Sequence, residues 1–393
     1  MAKKRKEEKK EMKLIKLLLV VAAAAAITLA LGGNGLAFHE EGVAYCAGCH
    51  TMHNSQDGQE IVPGGAGGYL LKNIDGGSTC LNCHAAYGQR TQDGSGFGGG
   101  GDFYWITKTF SYSAHGSTRY SYGDSHGHNV FARDFGLDMV DAELGNKAPG
   151  GTYDHELSCA SCHDPHGNTN YLLLRGNESH DGANFPAAPI AVSTGRRTTG
   201  TSGVSDTKHP AYGSGMSAWC AGCHTTFING LASRMHPADR QLSSGIIDTY
   251  NEYVVKSTIP TGGDINNAYL EMVPFQTGAK DTSSLDTEST MGPTGGAEVA
   301  CISCHRAHAT AFPDAGRWDF NTEMLWESHP ATGDTGVTGN DVLNSYYGKT
   351  FPDLGPEDSQ RSLCNKCHAK DGPHGSGSGA VAVSTSFRGT FSK

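Results

Sequence analysis

The sequence predicts a chain of mostly irregular coil, with short helices at six cysteine-bearing pentapeptides and a few small strands, packed around bound groups rather than around its own side chains. Three observations carry that expectation. Glycine occupies 54 of 393 positions. Hydrophobic residues make up only 37%, less than a globular chain of this length usually devotes to its interior. All twelve cysteines share one spacing, C-x-x-C-H. Side-chain burial alone would struggle to offset the conformational entropy of such a chain, so something else must supply apolar material.

Taken in chain order, the N-terminus reads as a separate object. Lys3 to Lys16 is basic, and Leu17 to Leu31 is an apolar run of 15 residues, short for a membrane span. Small residues follow at Gly35-Leu36-Ala37, so residues 1–37 are expected to be a cleaved secretory signal. An uncleaved anchor is the alternative. The segment holds eight Lys/Arg and three Glu against a net charge of −10, which leaves the remainder near −15. No basic patch remains to neutralise phosphates, so nucleic acid is excluded as a partner. Residues 38–371 are expected to form the main domain and 372–393 a Gly/Ser-rich tail, with alternation at Val381–Phe387 that suits a strand.

The pentapeptides decide what fills the core. They are Cys46 to His50, Cys80 to His84, Cys159 to His163, Cys220 to His224, Cys301 to His305 and Cys364 to His368. C-x-x-C-H is the attachment signature of haem c. Cys46, Cys49, Cys80, Cys83, Cys159, Cys162, Cys220, Cys223, Cys301, Cys304, Cys364 and Cys367 would form thioethers to the porphyrin. The histidines that close the motifs (His50, His84, His163, His224, His305 and His368) would bind iron. Zinc and disulfide readings fail because neither explains a histidine after every second cysteine. The fold class is therefore a multihaem cytochrome c whose core is six haems, about one per 59 residues after the signal. Successive first cysteines lie 34, 79, 61, 81 and 63 residues apart, an alternation that suggests a two-haem repeat. Glycine-rich Pro63–Gly68 and Gly94–Gly101 lie between motifs and show little helical period.

The second axial position separates an electron carrier from an enzyme. An electron-transfer haem has both positions filled, whereas a catalytic haem keeps one open. Thirteen histidines remain for six distal places. His53, His166 and His308 each follow a motif histidine by three residues. A side chain there cannot easily reach the far face of its own haem, but it can reach a neighbour's. His39, His128 and His236 are further candidates, and His115, His126, His155, His180, His209, His329 and His374 compete with them. Methionine is the other usual ligand, yet Met216 and Met235 read as packing residues and Met52 is flanked by histidines. Six bis-histidine haems of low potential are expected. Trp105, Tyr104, Trp219, Tyr346 and Tyr347 are read chiefly as packing against porphyrin faces.

Stretches beyond the pentapeptides resemble the filament-forming hexahaem outer-surface cytochromes of metal-reducing bacteria, the OmcS type. They are Phe38-His39, Gly42 to Ser55, Gly127 to Val130, Pro149 to Tyr153, Cys159 to Gly167, Ala211 to Cys220, His236-Pro237, Cys301 to Ala309 and Gln360 to Asp371. The intervening loops, such as 172–210 and 240–300, look little like the family. The resemblance implies stacked bis-histidine haems and a secreted protein at the outer cell surface. It implies that His53 ligates a haem of the adjacent subunit in a helical homopolymer. Redox-partner cytochromes and extracellular acceptors would supply and drain electrons. The distal candidates inside matching blocks are His39, His53, His128, His166, His236 and His308, equal in number to the places. Two alternatives stay open, a monomeric surface or periplasmic shuttle and a multihaem reductase with an open iron site, although all six motifs end in histidine.

Overall fold

A computed structural model describes residues 46–65, 68–85, 99–114, 116–194, 204–229, 238–254, 262–322, 324–346 and 363–368. The signal segment, His39, His115, His236, His374, Met235, Tyr347 and the tail lie outside them. The chain divides into two units, Met1–Tyr45 with His166–Asn168, and Cys46–Pro165 with Thr169–Lys393. The second unit holds all the elements below.

Regular structure is sparse and short, as the glycine content and weak periodicity lead one to expect. Among the described residues the helices are α1 Cys46–Cys49, α2 Gly76–His84, α3 Cys159–Cys162, α4 Met216–Cys220, α5 Thr225–Asn229, α6 Ser244–Glu252, α7 Cys301–Cys304, α8 Gly339–Ser345 and α9 Asn365–His368, and all but α5, α6 and α8 include part of a pentapeptide. Longer helices have side-chain caps. Asp75 accepts from the Ser78 amide at 2.7 Å to start α2, and Thr338 and Asp341 cap each other at α8, satisfying amides that no helix turn can reach.

Strands occur as two-residue to five-residue ribbons. Phe110–Ala114 (β1) pairs antiparallel with Ser117–Ser121 (β2), Phe110 opposite Ser121. Ile190–Val192 (β3) pairs with Ala211–Ser214 (β4), and Arg240–Gln241 (β5) with Glu298–Val299 (β6). Gln276 bridges β4 to β6. Its buried amide joins them further, accepting from Met216 N at 2.8 Å and donating to Asp239 at 2.7 Å.

A side-chain core does exist. Trp105, Trp318, Tyr250, Tyr346, Phe312 and Leu325 are essentially inaccessible to solvent and belong to one cluster. Aromatics carry much of this burial because each removes a large apolar area. Three half-buried motif cysteines, Cys304, Cys364 and Cys367, pack against that cluster.

Candidate haem centres

Each pentapeptide is one turn of helix. The amide of the closing histidine donates to the first cysteine's carbonyl at 2.8 Å in the first motif and at 3.0 Å in the third, fourth, fifth and sixth. That i to i+4 bond puts both thiols and the imidazole on one side of the turn. No two cysteines are joined in a disulfide. The thiols of Cys80 and Cys159 lie within hydrogen-bonding reach of each other, as do those of Cys220 and Cys301. The second motif therefore abuts the third, and the fourth abuts the fifth. Burial pushes the Cys162 thiol up to about 12 and Cys223 to about 11, so neither is a ready thiolate. Among the described residues no three His, Cys, Asp or Glu side chains converge as an ion site, the grouping a zinc centre needs.

Four of the closing histidines share a second feature. Nδ1 of His50 meets Tyr69 O at 2.8 Å, His163 meets Leu172 O at 2.8 Å, His224 meets Pro149 O at 2.8 Å and His305 meets Asp314 O at 2.7 Å. A carbonyl only accepts, so Nδ1 carries the proton and Nε2 presents a lone pair, the arrangement of a metal-ligating imidazole. His128 behaves alike, with Nδ1 at 2.5 Å from Ala307 O.

Three of these carbonyls come from one recurring turn. After the first, third and fifth motifs the chain returns through two successive left-handed residues: Tyr69-Leu70 (φ 60°, 57°), Leu172-Leu173 (48°, 60°) and Asp314-Ala315 (59°, 53°). The first residue's carbonyl accepts from the histidine ring. The second's accepts the amide after the histidine: Thr51 at 2.7 Å, Asp164 at 2.8 Å and Arg306 at 2.8 Å. Two residues on, Lys72, Arg175 and Arg317 donate their amides to the second cysteine's carbonyl at 2.9, 3.0 and 2.8 Å. Left-handed backbone costs a non-glycine residue about 1–2 kcal/mol. No side-chain pattern announces it here, and the turn is not foreseen from the sequence.

Two candidate distal histidines share a backbone ribbon. The His128 amide donates to His308 O at 2.9 Å, the Thr310 amide donates to His126 O at 3.1 Å, and His308 N donates to Gly100 O at 2.7 Å. Gly127 sits where a Cβ would collide with the His308 carbonyl, so only glycine permits this pairing. From the ribbon the two rings reach different motifs. The His128 centroid lies 6.0 Å from that of His224, and His308 lies 6.4 Å from His163. Two imidazoles bound through Nε2 to opposite sides of one ion, at about 2 Å each as for His–metal bonds generally, have centroids about 6 Å apart. Burial, with His128 alongside, pushes His224 down to about 4, and burial beside His163 pushes His308 to about 3. Both are neutral at pH 7, the form that binds metal. The donors fit bis-histidine iron.

Other candidates divide differently. His53 and His166 are exposed. His126 has both nitrogens engaged, Nε2 with Ser121 at 2.7 Å and Nδ1 with Trp105 O at 3.0 Å. His209 likewise bridges Pro210 O and Ser289 O, both at 2.9 Å. His329 stacks on Tyr112 at 3.8 Å and bonds Asp334 at 2.7 Å. Trp219 stacks on Phe185 and donates to Arg175 O. The rings of His126, His209, His329 and Trp219 hold the fold.

The chain is 33% identical to the C-type cytochrome OmcS of Geobacter sulfurreducens, across 85% of this chain and 94% of that protein. It belongs to the OmcS family of c-type cytochromes. Two solved structures agree, an Outer Membrane Cytochrome S filament and OmcS nanowires determined by cryo-electron microscopy, both from that organism. TM-scores are 0.69 and 0.70 at 30% and 31% identity, covering 85% of this chain and 100% of each structure. No family model matches. The cofactor of this OmcS-family chain is haem c, and its twelve cysteines make six C-x-x-C-H motifs. Among the described residues no helix is long and apolar enough to cross a membrane.

Proposed function

We propose that this cytochrome carries electrons outside the cell along six bis-histidine haems, and that copies join head to tail into a conductive filament. The observation that supports the ligation most directly is the closeness of two imidazole pairs, His128 with His224 at 6.0 Å and His163 with His308 at 6.4 Å between ring centroids. In this reading His50, His84, His163, His224, His305 and His368 bind iron from one face. His39, His53, His128, His166, His236 and His308 bind from the other. His308 serves the haem held by Cys159 and Cys162, and His128 the haem held by Cys220 and Cys223. With both axial positions occupied by protein, the chain keeps iron geometry constant as charge passes and offers substrate no coordination site.

The abutting second and third motifs, and fourth and fifth, support a closely spaced haem row. The filaments formed by its relatives support polymerisation, and exposure of His53 fits a ligand given to another copy. A bond between unlike patches of identical subunits is heterologous and propagates into an open helix. Residues 1–37 would export the chain and be removed, leaving 38–371 as the haem-bearing domain. Redox-partner cytochromes would load the filament and extracellular acceptors drain it.

The test is His53→Ala. Six haems should remain attached, about one iron in six should become high-spin, and long filaments should disappear from micrographs. Filaments of normal length would sink the intersubunit role.

A further inference from the structure

We infer that the left-handed dipeptides Tyr69-Leu70, Leu172-Leu173 and Asp314-Ala315 are positioning residues, which aim a carbonyl at the motif histidine and hold down the potential of the first, third and fifth haems. The inference rests on the ligation proposed above.

One unfavourable conformation recurs three times in one place. Eleven non-glycine residues have positive φ among those described, and six lie in these turns. The other five are asparagines or aspartates, which tolerate the left-handed region. The turns instead use tyrosine, leucine and alanine beside a single aspartate. Strain of this sort persists only where surrounding contacts over-determine it. Here two backbone bonds pin each turn to its motif, and two of the three gain a side-chain clamp. Arg175 Nε donates to Ala160 O at 2.8 Å and Arg317 Nε to Ile302 O at 2.6 Å, so each arginine grips the first residue between the cysteines.

What the strain accomplishes is local. Two consecutive left-handed residues turn the first carbonyl onto Nδ1 of the motif histidine at 2.7–2.8 Å in all three copies. A strong acceptor on Nδ1–H makes the imidazole a better electron donor through Nε2. That favours oxidised iron and lowers the potential. In the fourth motif His224 takes its acceptor from Pro149, 75 residues earlier in the chain. The first, third and fifth motifs are the ones followed by H-x-x-H, so the locally latched haems alternate with the others along the chain.

The test varies backbone preference while keeping the carbonyl. In the loaded full-length protein, Leu173→Val and Ala315→Val place a β-branched residue where left-handed φ is least tolerated, and Leu173→Gly and Ala315→Gly relieve the strain. Potentiometric titration should move one sixth of the haem absorbance to higher potential in each valine variant. The low-spin EPR signal of that haem should change with it. The glycine variants should titrate like the parent and unfold at higher temperature. If Leu173→Val fails to fold, Ala315→Val reads the same effect at the fifth motif. Titrations unchanged by valine, or shifted as far by glycine, would overturn the latch while six low-spin haems persist. A parent with fewer than six low-spin haems would instead overturn the ligation reading, and the latch with it.

Discussion

His126 and His128 are two residues apart in one loop, yet they have opposite chemistry. His126 is fully buried and spends both ring nitrogens on the protein, bonding Ser121 and the Trp105 carbonyl. His128 bonds the Ala307 carbonyl through Nδ1, and its ring centroid lies 6.0 Å from that of His224. Spacing along the chain cannot separate them, but what each nitrogen touches does. A histidine with two protein partners is a strut, and one with a single backbone acceptor beside a motif imidazole is what the proposed axial ligation requires.

The largest contrast should come from removing each ring. His128→Ala should make about one iron in six high-spin and able to bind carbon monoxide, whereas His126→Ala should leave every haem low-spin. The latter should instead lose roughly 2–4 kcal/mol of stability from the cavity and the orphaned polar partners, measured by denaturant titration. High-spin iron in His126→Ala would invert the assignment.

A second experiment counts irons. If His163 and His308 share one, the double variant His163→Ala/His308→Ala should bind one carbon monoxide per chain, like either single variant. His305→Ala/His308→Ala should bind two. Equal counts in the two double variants would contradict the pairing of His308 with the third motif.

A smaller effect should appear with pH. Burial pushes His126 down to about 4 from an ordinary 6.5, so the unfolded chain takes up its proton first as pH falls. The stability it contributes is intact above pH 6.5 and is lost progressively down to about pH 4. The loss is roughly 3 kcal/mol, because each tenfold difference in proton affinity between the folded and unfolded chain is worth about 1.4 kcal/mol. His126→Gln should flatten the stability profile over that window, and an unchanged slope would refute the buried neutral imidazole.

The attachment motifs were legible because covalent haem chemistry leaves a rigid five-residue signature that no other use of cysteine reproduces. Short helices at those motifs followed from it, and sparse strands followed from the glycine content. The side-chain core around Trp105, Trp318 and Tyr250 was less legible, since a few large aromatics bury much area while barely raising the hydrophobic fraction. His128 and His308 were reachable as candidates through the family resemblance and the H-x-x-H spacing. Their proposed partners were not, because the closeness of His128 to His224 and of His308 to His163 comes with a ribbon joining segments about 180 residues apart. The left-handed turns were hidden for a different reason. Leucine and tyrosine carry no preference for positive φ, so only the surrounding hydrogen bonds reveal it.

A continuous row of bis-histidine haems should pass from one copy of the chain to the next. A side-chain-resolution cryo-electron microscopy reconstruction of sheared cell-surface material would test this most directly. The expected result is filaments of this chain in which His128 and His224 share one iron, His163 and His308 share another, and His53 reaches into a neighbouring copy. Discrete monomers, or an iron with an open axial position inside a filament, would contradict it.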